Sequence, residues 1–115
     1  MLGSEDFKEK RASKRFAVSI PLTCCDTFGN MTHAHTHDIS AEGAGIITNG
    51  NLGLGSAVEI FFQMPDNGQK IYRKARVIWV TNTDSGIFRA GIQLKDSILN
   101  PVPLVLRTIN CRYKN

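Results

Sequence analysis

Two short clusters carry the side chains of this chain best suited to holding a ligand. Arg11-Ala12-Ser13-Lys14-Arg15 sets two guanidinium groups four residues apart, and Asp38-Ile39-Ser40-Ala41-Glu42-Gly43 sets a carboxylate, a hydroxyl and a turn glycine within six. An arginine fork takes phosphate oxygens or the O6/N7 edge of guanine. A carboxylate accepts from guanine's N1–H and N2–H₂, a hydroxyl bonds phosphate or base, and glycine lets a backbone approach closely. The chemistry on offer is recognition of a small anion that carries guanine. Either cluster alone is also what a solvated charge run or an ordinary β-turn recruits. Their order, and the strands that flank them, make the pair informative.

Positioning these groups falls to strands. Residues 1–10 are polar, charged and non-periodic, which predicts a flexible N-terminal tail. Strict alternation begins at Phe16, with Phe16, Val18, Ile20, Leu22 and Cys24 on one face, so a half-buried strand starts directly behind Arg15. Asp26-Thr27-Phe28-Gly29-Asn30 supplies turn chemistry, and a second extended run from Met31 to Ile39 carries Asp38 near its end. Ser40-Ala41-Glu42-Gly43 then reads as a tight turn and Ala44–Thr48 as a short third strand. The glycine-dense loop from Asn49 to Gly55 is placed to cross one end of a barrel.

Val58, Ile60 and Phe62 alternate in a fourth strand, closed by Met64-Pro65-Asp66-Asn67-Gly68. A long fifth strand runs from about Ile71 to Asn82, with Ala75, Val77 and Trp79 predicted inward and Tyr72, Lys74 and Arg76 outward. After Thr83-Asp84-Ser85-Gly86, a sixth strand alternates through Phe88, Ala90, Ile92 and Leu94. Short strands separated by turn signals indicate an all-β antiparallel barrel or sandwich, and closure removes edges that would invite aggregation. Beyond Pro101 and Pro103 the period changes. Leu104, Val105, Thr108 and Ile109 fall near one helical face, which predicts a short C-terminal helix lying on the barrel.

Other features suggest chemistry but have simpler readings. His33, His35 and His37 alternate along one strand face at steps of about 7 Å. Such a row can hold Zn²⁺ or Ni²⁺, but no fourth ligand is evident, so it reads as a polar outer face and no metal is assigned. Neighbouring Cys24 and Cys25 point to opposite faces of a strand, and a bond between them would be strained. One core thiol and one exposed thiol are expected. Trp79, Phe61, Phe62, Phe88 and Tyr72 read mainly as core, with Tyr72 and Phe61 as candidates for exposure. Asp66, Asp84 and Asp96 sit in turns or beyond a strand end, and no carboxylate pair or Ser–His–Asp set points to catalysis. No enzyme is expected.

At 115 residues the chain is one domain, with 42% apolar and 21% charged residues, an ordinary globular composition that excludes global disorder. The net charge of +4, from 14 basic and 10 acidic residues, permits an anionic partner without naming one. Lys8, Lys10, Arg11, Lys14 and Arg15 crowd beside the first strand, either as a solvated tail or as a ligand clamp. Three cysteines and no recognisable signal segment lead to the expectation of a cytoplasmic protein. Nothing approaches the apolar length of a membrane span.

The R-x-x-x-R of Arg11 and Arg15, followed by the D-x-S-x-x-G of Asp38, Ser40 and Gly43, resembles the PilZ domain, the bacterial receptor module for cyclic di-GMP. The likeness extends to Ala75-Arg76-Val77-Ile78-Trp79 and to Ala90-Gly91-Ile92-Gln93-Leu94, covering about Lys10 to Leu94. It implies a six-stranded antiparallel β-barrel over residues 11–97, preceded by a flexible arm over 1–10 and followed by a C-terminal helix over 98–115. It implies that Arg11 and Arg15 swing onto the phosphates and a guanine edge of cyclic di-GMP. Asp38 would select guanine, Ser40 would bond phosphate or base, and Gly43 would let the backbone turn near the ligand. A basic residue at Lys10 is compatible with an intercalated nucleotide pair. The resemblance implies no cofactor beyond that ligand and no catalysis. It also implies an unidentified effector protein, in motility, pilus, biofilm or exopolysaccharide control, as the recipient of a conformational change. No nucleic-acid partner and no membrane insertion are expected, and the chain would be a monomer or weak homodimer. Two alternatives stay open: a small barrel that binds single-stranded nucleic acid through its basic face, and a PilZ-fold interaction module that works without ligand.

Overall fold

Period-two alternation builds six strands, and their hydrogen-bond ladder closes on itself. The computed structural model describes residues 14–114. In chain order the strands are β1 Pro21–Asp26, β2 Met31–Ser40, β3 Gly43–Thr48, β4 Ala57–Gln63, β5 Lys70–Asp84 and β6 Ile87–Leu94, with helix α1 at Pro101–Lys114. The barrel order is β1-β2-β3-β6-β5-β4, all neighbours antiparallel, with β1 and β4 closing the ring. Tight turns make β1–β2, β2–β3, β4–β5 and β5–β6 sequential hairpins. β3 and β4 are not neighbours, so the loop between them has to travel, and Gly53 and Gly55 take positive φ within it.

The inward set matches the alternation. Ile20, Leu22, Cys24, Ile39, Ile46, Ile60, Phe62, Val77 and Ile92 are all buried in one cluster. Each large side chain of this kind stabilises the fold by about 1.5–3 kcal/mol relative to exposure. Burial pushes the Cys24 thiol up to about 12, so it is a core group, while Cys25 is partly exposed.

The expected first strand differs in its opening half. The ladder starts at Pro21, and residues 14–20 are extended but touch β2 at only a few points. Phe16 and Ile39 exchange N–H···O bonds of 2.8 and 2.9 Å. Further on, Thr36 N donates to Ile20 O at 3.0 Å, and Ile20 N donates to the Thr36 hydroxyl at 2.8 Å. Pro21 has no N–H to give, and a register shift between Thr36 and Asp38 interrupts β2. The Thr36 side chain stands in for the missing ladder, which explains a buried threonine among aliphatics.

Trp79 corrects the inward assignment of the fifth strand. A bulge between Val77 and Trp79 inserts Ile78, so the inward face passes from Val77 to Val80 and the indole emerges 40% exposed. Met64, expected in a turn, is fully buried at the end of β4. In α1, Leu104 and Thr108 are buried and Val105 packs against the core, but Ile109, expected on that face, is exposed. The helix begins at Pro101, a residue whose fixed φ and missing N–H suit a first helical position. It lies on its own barrel. Leu99 N donates to Ala41 O just before α1, and Arg107 forks onto Asp66 at 2.8 Å through both Nε and Nη2. The tail over residues 1–10, and with it Lys10 and Arg11, lies outside the described residues.

Candidate functional site

The two Phe16–Ile39 hydrogen bonds clamp the incoming chain to β2 beside the bulge, which brings Arg15 next to Asp38. Arg15 Nη2 lies 2.9 Å from Asp38 Oδ1, and more than half of the Arg15 side chain is exposed. Asp38 Oδ1 also accepts from Gly45 N at 3.1 Å, and its Oδ2 lies 3.3 Å from His37 Nδ1. Burial pushes the Asp38 carboxyl up, but the His37 hydrogen bond, the Arg15 charge and the Gly45 amide outweigh it and hold it below the usual carboxylate range. The site therefore presents a fixed anion and a projecting cation side by side.

Ser40 is buried, and its hydroxyl donates to Gly43 O at 3.3 Å, closing the turn between β2 and β3. Gly43 meets a tertiary demand. A Cβ there would overlap the carbonyl oxygen of Ile92 on β6, so only glycine lets the two strands pair at that point. Gly91 answers to a second close approach, because a Cβ on it would overlap the indole Nε1 of Trp79. Trp79 sits over β6 at Gly91, where the strand has no side chain.

These elements enclose a groove of about 420 Å³, within the range of roughly 300–1,000 Å³ of small-molecule clefts. Arg15, Asp38, Ser40 and Gly43 line one side, and Ile78 and Trp79 line the other, above Gly91. The structure thus gathers four of the six residues singled out in the sequence. It adds Trp79, which alternation had placed in the core; the bulge that turns it out left no trace in the pattern, although a glycine paired opposite the tryptophan was the available signal. One wall offers charge and hydrogen bonds, the other an aromatic face. A planar base with anionic substituents suits both.

A larger groove of about 650 Å³ lies elsewhere, between Cys25, Thr27, Glu59, Lys74 and Lys95. Its charges are of mixed sign, and the neighbouring Asp26 carboxylate is consumed by its own turn, accepting from Phe28 N and Asn30 N at 2.8 and 2.9 Å. We place the candidate site in the smaller groove, where the motif residues converge. His33, His35 and His37 are exposed along β2, and among the described residues no group of three or more His, Cys, Asp or Glu is placed to hold a metal ion.

The closed six-stranded barrel thus carries an arginine–aspartate groove at one side. The PilZ domain family matches residues 9–102, and the chain belongs to that family, whose members are receptor and adaptor modules rather than enzymes. No curated protein matches the chain by sequence. Among solved structures, the PilZ domain of Escherichia coli YcgR with c-di-GMP is similar, with 17% identity, 90% of this chain and 88% of that chain covered, and a TM-score of 0.60. The PilZ domain of CeSA from a cellulose-synthesizing bacterium has 19% identity, 85% and 93% coverage and a TM-score of 0.56. The Bacillus subtilis inhibitor of motility (MotI/DgrA) has 12% identity and a TM-score of 0.60; 90% of this chain is covered, but it spans only 51% of that protein. At these identities the likeness establishes the fold. Among the described residues no helix is long and apolar enough to cross a membrane.

Proposed function

We propose that the chain is a cyclic di-GMP receptor whose ligand lies in the Arg15–Asp38–Trp79 groove. The observation that carries this reading is the convergence of Arg15, Asp38, Ser40 and Gly43 on one groove whose opposite wall is an exposed indole. Family membership and the fold shared with a c-di-GMP-bound PilZ domain support the choice of ligand.

In this reading the ligand exchanges partners with a pre-existing pair. Its phosphates draw the Arg15 guanidinium away from Asp38, and the N1–H and N2–H₂ of a guanine take the carboxylate in return. An exposed ion pair contributes only about 0–1 kcal/mol, whereas each charge-assisted hydrogen bond to ligand contributes roughly 1.5–3 kcal/mol. The exchange is favourable. Trp79 stacks on a base, and Arg11 and Lys10 reach the same phosphates from the chain preceding Arg15. Because Phe16 is clamped to β2, movement of that preceding chain leaves the barrel untouched, and the rearranged arm is the signal offered to an effector protein in motility, pilus, biofilm or exopolysaccharide control.

Titration calorimetry tests the reading, with cyclic di-AMP and GTP as controls and Arg15→Ala beside the wild type. Selective binding of cyclic di-GMP at or below ~1 μM, about −8 kcal/mol, is expected, with a loss of about 1.5–3 kcal/mol in the variant. Salt adds a second check. A ligand with two phosphates gives a shallow dependence, whereas a steep one would favour single-stranded nucleic acid.

A further inference from the structure

We infer that His37 is a positioning residue for Asp38 that couples ligand binding to uptake of a proton; the inference rests on the reading of the groove as a cyclic di-GMP site. In a regular strand, neighbouring side chains point to opposite faces, so an imidazole cannot reach the carboxylate of the next residue. The register shift in β2 changes this. Thr36 pairs with Ile46 and Asp38 with Gly45, leaving His37 as the extra residue, without a partner on β3 and turned to the same side as Asp38.

The contact has a defined sense. A carboxylate only accepts, so His37 Nδ1, 3.3 Å from Asp38 Oδ2, carries the proton. Gly45 N grips the opposite oxygen at 3.1 Å. Two donors on separate oxygens set the plane of the carboxylate whether or not Arg15 is present, so the acceptor stays aimed when the guanidinium leaves for phosphate. His37 itself is half-exposed and does not line the groove; it acts through Asp38.

The charges around His37 give the direction of the proton linkage. Arg15 reaches Asp38 from the incoming chain with Lys14 just before it in sequence, and Asp38 is the neighbour of His37 on β2. β3 brings Gly45, Ile46 and Ile47 to this stretch, none of them ionisable, and the next ionisable side chain across the sheet is Arg89 of β6, opposite Ile47. Glu42 stands in the groove beyond Ser40, and His35 lies two residues back, opposite Ile47 and Pro21. Binding adds the ligand's negative charges and draws one cation away. Both changes favour the imidazolium form of His37, so by reciprocity the protonated protein binds more tightly. Asp38, held below the usual carboxylate range, remains ionised throughout, and histidine is the side-chain type suited to a charge change near neutral pH.

Calorimetry of cyclic di-GMP at pH 6 and pH 8, in two buffers of different ionisation enthalpy, reads the linkage directly. The wild type is expected to bind several-fold more tightly at pH 6 and to take up a fraction of a proton. His37→Gln keeps a neutral donor at this position and should bind with nearly pH-independent affinity, while His35→Gln behaves as wild type. Uptake that persists in His37→Gln, or wild-type binding with no uptake, overturns the role of His37 while leaving the receptor reading intact. No binding at either pH overturns the receptor reading and the inference with it. Nitrogen NMR of His37 at pH 8 checks the pair without ligand: protonation at Nδ1 is expected in the wild type and its loss in Asp38→Ala, and an unchanged tautomer would sink the positioning role.

Discussion

Arg15 and Asp38 illustrate how little a pairwise contact says about purpose until its surroundings are considered. As an exposed ion pair they contribute little to stability. In the proposed reading a nucleotide separates them, one taking phosphate and the other guanine, and the site would discriminate by exchange. Trp79 supplies what they lack, a flat apolar surface 40% open to solvent. Trp79→Ala should cost about 1–3 kcal/mol of nucleotide binding, the range of base–aromatic stacking, roughly a five- to 150-fold loss. Thermal melting of the same variant should stay close to wild type, because the indole contributes little to the core. A large fall in melting temperature with unchanged affinity would return the tryptophan to a structural role.

At the scale of elements, the site depends on two irregularities and two glycines. The β2 bulge turns His37 and Asp38 to one side, the β5 bulge turns Trp79 out, and Gly43 and Gly91 allow the close approaches that bring β3, β6 and the indole together. Gly43→Ala forces a methyl into the Ile92 carbonyl, with backbone on both sides and no flexible side chain to yield. Its cost should reach about 3 kcal/mol, the upper end for overpacking, and lower the melting temperature by about 4–8 °C per kcal/mol. Chemical denaturation and calorimetry together read the outcome. Stability within 1 kcal/mol of wild type, by contrast, would mean that β3 and β6 are less tightly joined than the ladder indicates. Much of this was hidden in the sequence. The D-x-S-x-x-G spacing showed a turn glycine, but not that the neighbour demanding it is a strand about fifty residues away.

Over the whole molecule, acid stability follows from carboxylates held below their usual range. The hydrogen bonds and charge of Arg107 lower the Asp66 carboxyl from 3.8, against a smaller effect of burial, and Asp38 is lowered in the same sense. A group with a depressed folded-state value contributes stability above its unfolded value and loses it as pH falls through the folded one. The barrel should therefore melt at nearly constant temperature above pH 5 and lose stability progressively below about pH 4. Asp66→Asn, which loosens α1 from the β4–β5 turn, should flatten that acid limb, and an equally steep limb in the variant would place the linkage elsewhere. Melting temperature against pH for both proteins decides it.

The sequence by itself determined the strands, most of their inward faces and the motif by which the chain resembles its family, because period-two alternation and turn residues are local properties that each segment carries alone. Phe62, Ile60 and Val77 could be assigned to the core without knowing what they touch. Only the tertiary structure decided where alternation fails, since a bulge is set by the register of two paired strands and not by either one. That is why Trp79 was placed in the core and His37 in a uniform polar row. The groove belongs to the same category. Arg15, Asp38, Trp79 and Gly91 are distant along the chain and become neighbours only when the closed ladder brings β2, β3, β6 and β5 side by side.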